Sequence, residues 1–172
     1  MATAALISVE EYLSTSYRPD CDFIEGEVLE RNLGQKDHSK LQSRLCAWFL
    51  NRGHALRLTA FVEQRVQVAA RRFRIPDVCV VPLPEPDEQI FTQAPYICLE
   101  VLSPDDSFGK LQDRLDDYLA MGVPNIWVLD PTSRRYWSVT RQGYFEALDG
   151  ILRTSDDRVV LTVSDLFMDV AS

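Results

Sequence analysis

Lysine is nearly missing from this sequence: Lys36, Lys40 and Lys110 are the only ones, and the other fifteen basic residues are arginine. A mechanism that needs an amine therefore has three places to find it. Histidine is limited to His38 and His54, and the four cysteines, Cys21, Cys46, Cys79 and Cys98, show no C-x-x-C spacing. That scarcity argues against a structural zinc site. No apolar run approaches the roughly 18 residues of a membrane span. The stretch from Met1 to Ser8 has neither a basic start nor a sustained apolar core. No signal peptide is expected, and a reducing cytoplasm fits the unpaired thiols. Positive charge is also in deficit, with 18 basic against 26 acidic residues and a formal charge of −8. This argues against a broad nucleic-acid footprint and leaves room for a local basic groove.

The 172 residues are 46% apolar and 26% charged, the mix of one soluble globular domain spanning 1–172. Ser8-Val-Glu-Glu11 is a capping box that opens a short helix to about Tyr17. Cys21 to Arg31 reads as two strands joined at Glu25-Gly26. With Asp37 as N-cap, a helix follows from about His38 to Arg52, its apolar stripe being Leu41, Leu45, Trp48 and Phe49, and Gly53 marks its end. Residues 58–69 and Arg74 to Val81 read as strands, and the proline-rich stretch from Pro82 to Pro95 as an exposed loop. Tyr96 to Leu102 is a mostly apolar strand suited to the middle of a sheet. A helix from about Phe108 to Met121 and a strand from Asn125 to Asp130 complete a parallel crossover. Shorter strands at about 135–140, 144–148 and 158–162 are expected as an antiparallel extension of the sheet. The fold class is α/β, a mixed central sheet with flanking helices.

Two carboxylates stand out because they lie in otherwise apolar strands: Asp77 in RIPDVCVV and Glu100 in YICLEVL. Burying such charges is costly unless they are paired or bound to a cation. By strand alternation Asp77 shares a face with Ile75, Cys79 and Val81, and Glu100 with Cys98 and Leu102. If the two strands are neighbours, both acids can hold one hard cation, for which Mg²⁺ is the natural choice. Taken singly, each acid reads equally as a strand-end carboxylate in water or one held by an arginine.

The order of Phe23-Ile-Glu-Gly-Glu27, His38-Ser-Lys-Leu41, Ile75-Pro-Asp77, Leu99-Glu-Val-Leu-Ser-Pro104, Tyr118 to Pro124 and Trp127-Val-Leu-Asp-Pro131 resembles the bacterial family of restriction endonucleases called Uma-two. That family belongs to the PD-(D/E)XK nuclease superfamily, and the resemblance runs from about Ser8 to Phe167. It implies a restriction-endonuclease-like fold and a Mg²⁺- or Mn²⁺-dependent endonuclease acting on DNA. Asp77, Glu100 and the carbonyl of Val101 would be the metal ligands. The superfamily lysine would fall two residues after the Glu, where this chain has Leu102. In the family the basic residue appears on the following helix, at Arg114 here.

Helical spacing agrees, since Arg114 borders the stripe of Leu111, Leu115 and Tyr118, while Lys110 points further outward. Arginine does not act as a base, but it can orient a water, hold a phosphate or stabilise developing negative charge. Its alternative is a structural salt bridge to Asp77 or Glu100. Glu27, beside Glu25, either supports the site or lies on a surface turn. His38, in phase with Leu41 and Leu45, reads first as a core histidine with one hydrogen bond. Arg71, Arg72 and Arg74 either meet phosphates at a groove entrance or form a solvated strand end. The contrasting reading of the whole chain is a catalytically inactive nuclease-fold binding or assembly protein. A homodimer is compatible with both.

Overall fold

A computed structural model describes residues 6–32 and 34–167. Helix α1 (Val9–Ser14) leads into strands β1 (Cys21–Ile24) and β2 (Glu27–Glu30), and helix α2 (Lys36–Leu56) into β3 (Leu58–Val62), β4 (Val66–Ala69), β5 (Arg72–Arg74), β6 (Val78–Pro82) and β7 (Ile97–Val101). Helix α3 (Phe108–Met121) is followed by β8 (Asn125–Asp130), β9 (Arg135–Thr140), β10 (Gly143–Glu146), β11 (Ile151–Arg153) and β12 (Val160–Thr162). The main sheet has the order β10-β9-β8-β7-β6-β3, and a smaller one the order β2-β1-β5-β4. Only β7 and β8 pair in parallel within the main sheet, as the α3 crossover between them demands.

Alternation along the central strands feeds two cores. Val78, Val80, Ile97 and Leu99 pack on the side of Leu41, Leu45 and Phe49 of α2. Cys79, Cys98, Ile126 and Val128 pack against Leu111, Leu115 and Tyr118 of α3. Both layers exclude water, and each fully buried large side chain contributes about 1.5–3 kcal/mol. A third cluster of Tyr12, Phe23 and Phe73 ties α1 to the small sheet.

Three sequence expectations are corrected here. First, α2 is longer than its stripe suggests. It starts after Gln35, runs through Gly53 and ends at Arg57 in the left-handed region. Gly53 is needed for close approach rather than termination: a Cβ there would lie 2.4 Å from the Leu58 carbonyl oxygen. Second, the stretches 58–69 and 74–81 each divide between the two sheets, the first at Glu63 (φ 51°), the second at Ile75-Pro76-Asp77. Asp77 therefore sits just before β6, not inside a strand. Third, β9 and β10 extend the main sheet antiparallel, but β12 pairs with β11 in a separate ribbon.

Candidate active site

Strand β6 starts at Val78 opposite Leu99, so β7 runs past it by two residues. The N–H of Val101 then has no strand partner, and the Asp77 side chain supplies one: Oδ2 accepts it at 2.8 Å. The same oxygen lies 3.2 Å from His38 Nε2, while Oδ1 accepts from Arg31 Nη2 at 2.8 Å. Gln42 of α2 fixes the Asp77 backbone by donating to its carbonyl. Burial alone would raise the Asp77 pKa. The His38 hydrogen bond, the charges of Arg31 and His38 and the Val101 N–H outweigh it and leave it lowered.

Glu100 projects from β7 on the α3 side. Tyr118 donates to its Oε1 at 2.6 Å, and Arg114 Nε lies 3.3 Å from Oε2. Burial pushes this carboxyl up to about 7, against the pull of Arg114 and with a further push from the Asp77 charge. The charge of Glu100 in turn raises the Arg114 pKa, so that guanidinium stays ionised. Arg114 also reaches Asp106 Oδ1 at 3.5 Å. Asp106 is itself anchored by the N–H and hydroxyl of Ser103 and by Asn32.

Asp77, Glu100, Val101 and Arg114 thus line one recessed pocket, together with Arg31, His38, Ser103 and Asp106. Its free volume is about 10 Å³, room for a single water-sized body. Glu27 is not among its lining residues. It is exposed at the start of β2, paired across the hairpin with Ile24. Besides Glu100, the acid that holds Arg114 is Asp106, which the sequence reading did not single out. Arg31 was also missed, since an arginine ending a hairpin strand carries no signal of its own. His38 does make one hydrogen bond, but that bond goes to Asp77 and the ring lines the pocket.

Lys110 is exposed, one turn outward from Arg114. Arg72 and Arg74 are neither a phosphate gate nor a solvated strand end, whereas Arg71 is exposed. Arg72 and Arg74 grip Asp117 of α3 at 2.8 and 2.6 Å, Arg74 also pairs with buried Asp22, and Arg71 lies 3.5 Å from Glu25. The bonds to Asp117 clamp the small sheet to α3.

Among the described residues no group of three or more His, Cys, Asp or Glu is arranged to hold a metal ion. A cation here would rest on two carboxylates, a backbone carbonyl and water, which suits Mg²⁺. The residues fit that role. The donors are hard oxygens, and Glu100 Oε2 has a charge contact but no hydrogen bond from Arg114, whose buried Nε is without one. The second buried orphan, His38 Nδ1, belongs to the ring beside Asp77.

A mixed sheet with one helix on each face and two acids at the ends of adjacent strands is the framework of restriction-endonuclease-like nucleases. The family model described as "Uma2: Putative restriction endonuclease" matches residues 9–167, and the chain belongs to this family. Among solved structures the chain is similar to a protein of Anabaena variabilis ATCC 29413 described as "a putative nuclease belonging to DUF820". The two are 24% identical over 94% of this chain and 97% of that one, with a TM-score of 0.81, a likeness of fold. No curated protein matches the chain. No helix among the described residues is long and apolar enough to cross a membrane.

Proposed function

We propose that this protein is a divalent-metal-dependent endonuclease that hydrolyses DNA phosphodiester bonds. The observation that carries the reading is the convergence of Asp77 and Glu100 on one recessed pocket beside Val101 and Arg114. Asp77, Glu100 and the Val101 carbonyl would hold Mg²⁺ or Mn²⁺, with water completing the shell. When bound, such an ion lowers the pKa of a water and polarises the scissile phosphate. Arg114 supplies fixed positive charge for the phosphate oxygens and cannot take a proton. Asp106 keeps Arg114 aimed at the pocket, while Arg31 and His38 hold Asp77 in place. Tyr118 fixes the rotamer of Glu100 from beneath. Glu27 has no role in this scheme.

Purified protein is incubated with supercoiled plasmid and Mg²⁺ or Mn²⁺, beside Asp77→Asn and an EDTA control. Nicking by the native protein alone supports the reading, and equal nicking by both proteins rejects it. A homodimer is needed only if both strands of a duplex are cut. The second reading, a nuclease-fold binding or assembly protein, is favoured by the arginine already set against each acid. Melting during a metal titration separates the two, because only a working metal site gives stabilisation that Asp77→Asn loses.

A further inference from the structure

The recessed pocket is the middle of three adjoining cavities along the N-terminal half of α3. On one side, sharing Arg31 and Arg114 with it, lies a cavity of about 180 Å³ that Lys110 also lines. On the other, sharing Ser103 and Asp106, lies a cavity of about 340 Å³ between residues 102–108 and the turn after β8. The two outer cavities differ in chemistry. Arg31, Arg74, Lys110 and Arg114 line the first beside Asp22, Glu30 and Asp113, whereas no basic residue lines the second, whose walls are largely the carbon of Leu102, Pro104, Phe108 and Leu111.

Phe108, the first residue of α3, is 72% exposed, a large apolar ring left in water at the lip of that cavity. Its one aromatic neighbour is Tyr144 at 6.4 Å between centroids, which a hydrogen bond to Gln112 holds on α3. The ring contributes little to the fold, and its open face suits stacking. The larger cavity is within the roughly 300–1,000 Å³ of small-molecule sites, and Ser107 and Thr132 are among its lining residues. Phosphate is disfavoured there by Asp106 and Asp130, which no basic residue offsets, whereas on the opposite side four basic residues, Lys110 among them, outnumber three acids.

We propose that the larger cavity receives an unpaired nucleobase of the DNA strand against Phe108, with an adjacent phosphate in the Lys110 cavity, so that the substrate is single-stranded or locally unpaired DNA. The assignment rests on the nuclease reading and deepens it. Two further observations support an unpaired strand. Asp77 and Glu100 are only 4% and 2% exposed. A strand whose base has left the stack reaches such a recess more readily than a rigid duplex does. A net charge of −8 also weighs more against the densely charged duplex than against a single strand.

The test reads binding apart from cleavage. A fluorescein-labelled single-stranded 12-mer oligodeoxynucleotide, its duplex and the matching oligoribonucleotide are titrated by anisotropy with Ca²⁺ in place of Mg²⁺. The single strand is expected to bind more tightly than the duplex. Phe108→Ala is expected to weaken single-strand binding about fivefold or more, the low end of base–aromatic stacking, with Tm unchanged. Phe108→Trp is expected to keep the affinity and to quench 2-aminopurine placed in the strand. Single-strand affinity that Phe108→Ala leaves untouched, or a preference for duplex, overturns the proposal; tighter binding of RNA overturns the choice of DNA. Failure of the nuclease reading shows separately, as plasmid nicking that Asp77→Asn does not lose.

Discussion

Glu100→Gln separates the charge of the site from its shape. Glu100 is 2% exposed, and burial pushes its pKa from 4.5 up to about 7. Across that interval the folded state keeps a proton that the unfolded chain releases. The stability tied to this carboxyl is therefore fully present below about pH 4.5 and is lost as pH rises through about 7. At about 1.4 kcal/mol per pH unit the loss amounts to ~3 kcal/mol. Glutamine has nearly the same size, still accepts the Tyr118 hydroxyl, and has no proton to lose. Variant and native protein should differ by under ~1 kcal/mol at pH 5, and the variant should be the more stable by ~3 kcal/mol at pH 8. At about 2–4 °C per kcal/mol for a chain of this size, that is a Tm gap near 10 °C. His38, its pKa raised by Asp77 despite burial, also loses stability as pH rises through that value, but it does so in both proteins and cancels. Thermal melts between pH 5 and 8 in EDTA measure the gap. Parallel Tm profiles, or a variant that becomes the weaker at pH 8, would refute the placement of Glu100 as a carboxyl penalised by burial.

Mg²⁺ should raise the Tm of the native protein more at pH 8 than at pH 6, since ligation needs the ionised form of Glu100, and should do neither in Asp77→Asn. Arg74→Met leaves buried Asp22 without its guanidinium and Asp117 with Arg72 alone. It should cost about 3–5 kcal/mol in urea unfolding, and a cost under about 1 kcal/mol would show the clamp between the small sheet and α3 to be unimportant. Gly53→Ala drives a methyl to 2.4 Å from the Leu58 carbonyl oxygen. A loss of about 1–3 kcal/mol is expected from overpacking, and an unchanged urea midpoint would contradict the close approach of α2 to β3.

How much could be read in advance depended on whether the signal was local. The bounds Phe108–Met121 and Asn125–Asp130 match their sequence expectations because Ser107 caps the first and Gly122, at φ 91°, stops it. Asp77 and Glu100 were visible as charges among apolar neighbours, a cost that only a tertiary partner or an ion can offset. The arginines were illegible for the opposite reason. Arg74 has partners 52 and 43 residues away, and Arg31 meets Asp77 across 46 residues, so no window of sequence distinguishes a clamp from a solvated face. Gly53 misled in the same way: a glycine required by a neighbouring strand looks, in sequence, like one that ends a helix. Glu27 and Asp106 exchanged roles because a hairpin turn and a capping turn are both rich in acids, and only the fold decides which of them reaches Arg114.

The scarcity of lysine acquires a meaning once the pocket is treated as a balance of charges. Three carboxylates, Asp77, Glu100 and Asp106, face two guanidiniums, Arg31 and Arg114. Neither guanidinium loses its proton at any pH the protein meets. Net charge in the pocket can therefore change only at the carboxyls and at His38. Below about 7 the Glu100 carboxyl carries a proton, and His38, whose pKa is raised beside Asp77, adds positive charge to that of the arginines. Above it the pocket gains one negative charge, and in the proposed metal site a cation would take the place of that proton without dislodging either arginine. A lysine buried at position 114 would be open to losing its own proton, and the balance would drift with the very group meant to fix it. Arginine at the helix position thus gives up a base and, under the proposed function, leaves the affinity of the pocket for a cation to the protonation of Glu100 and His38.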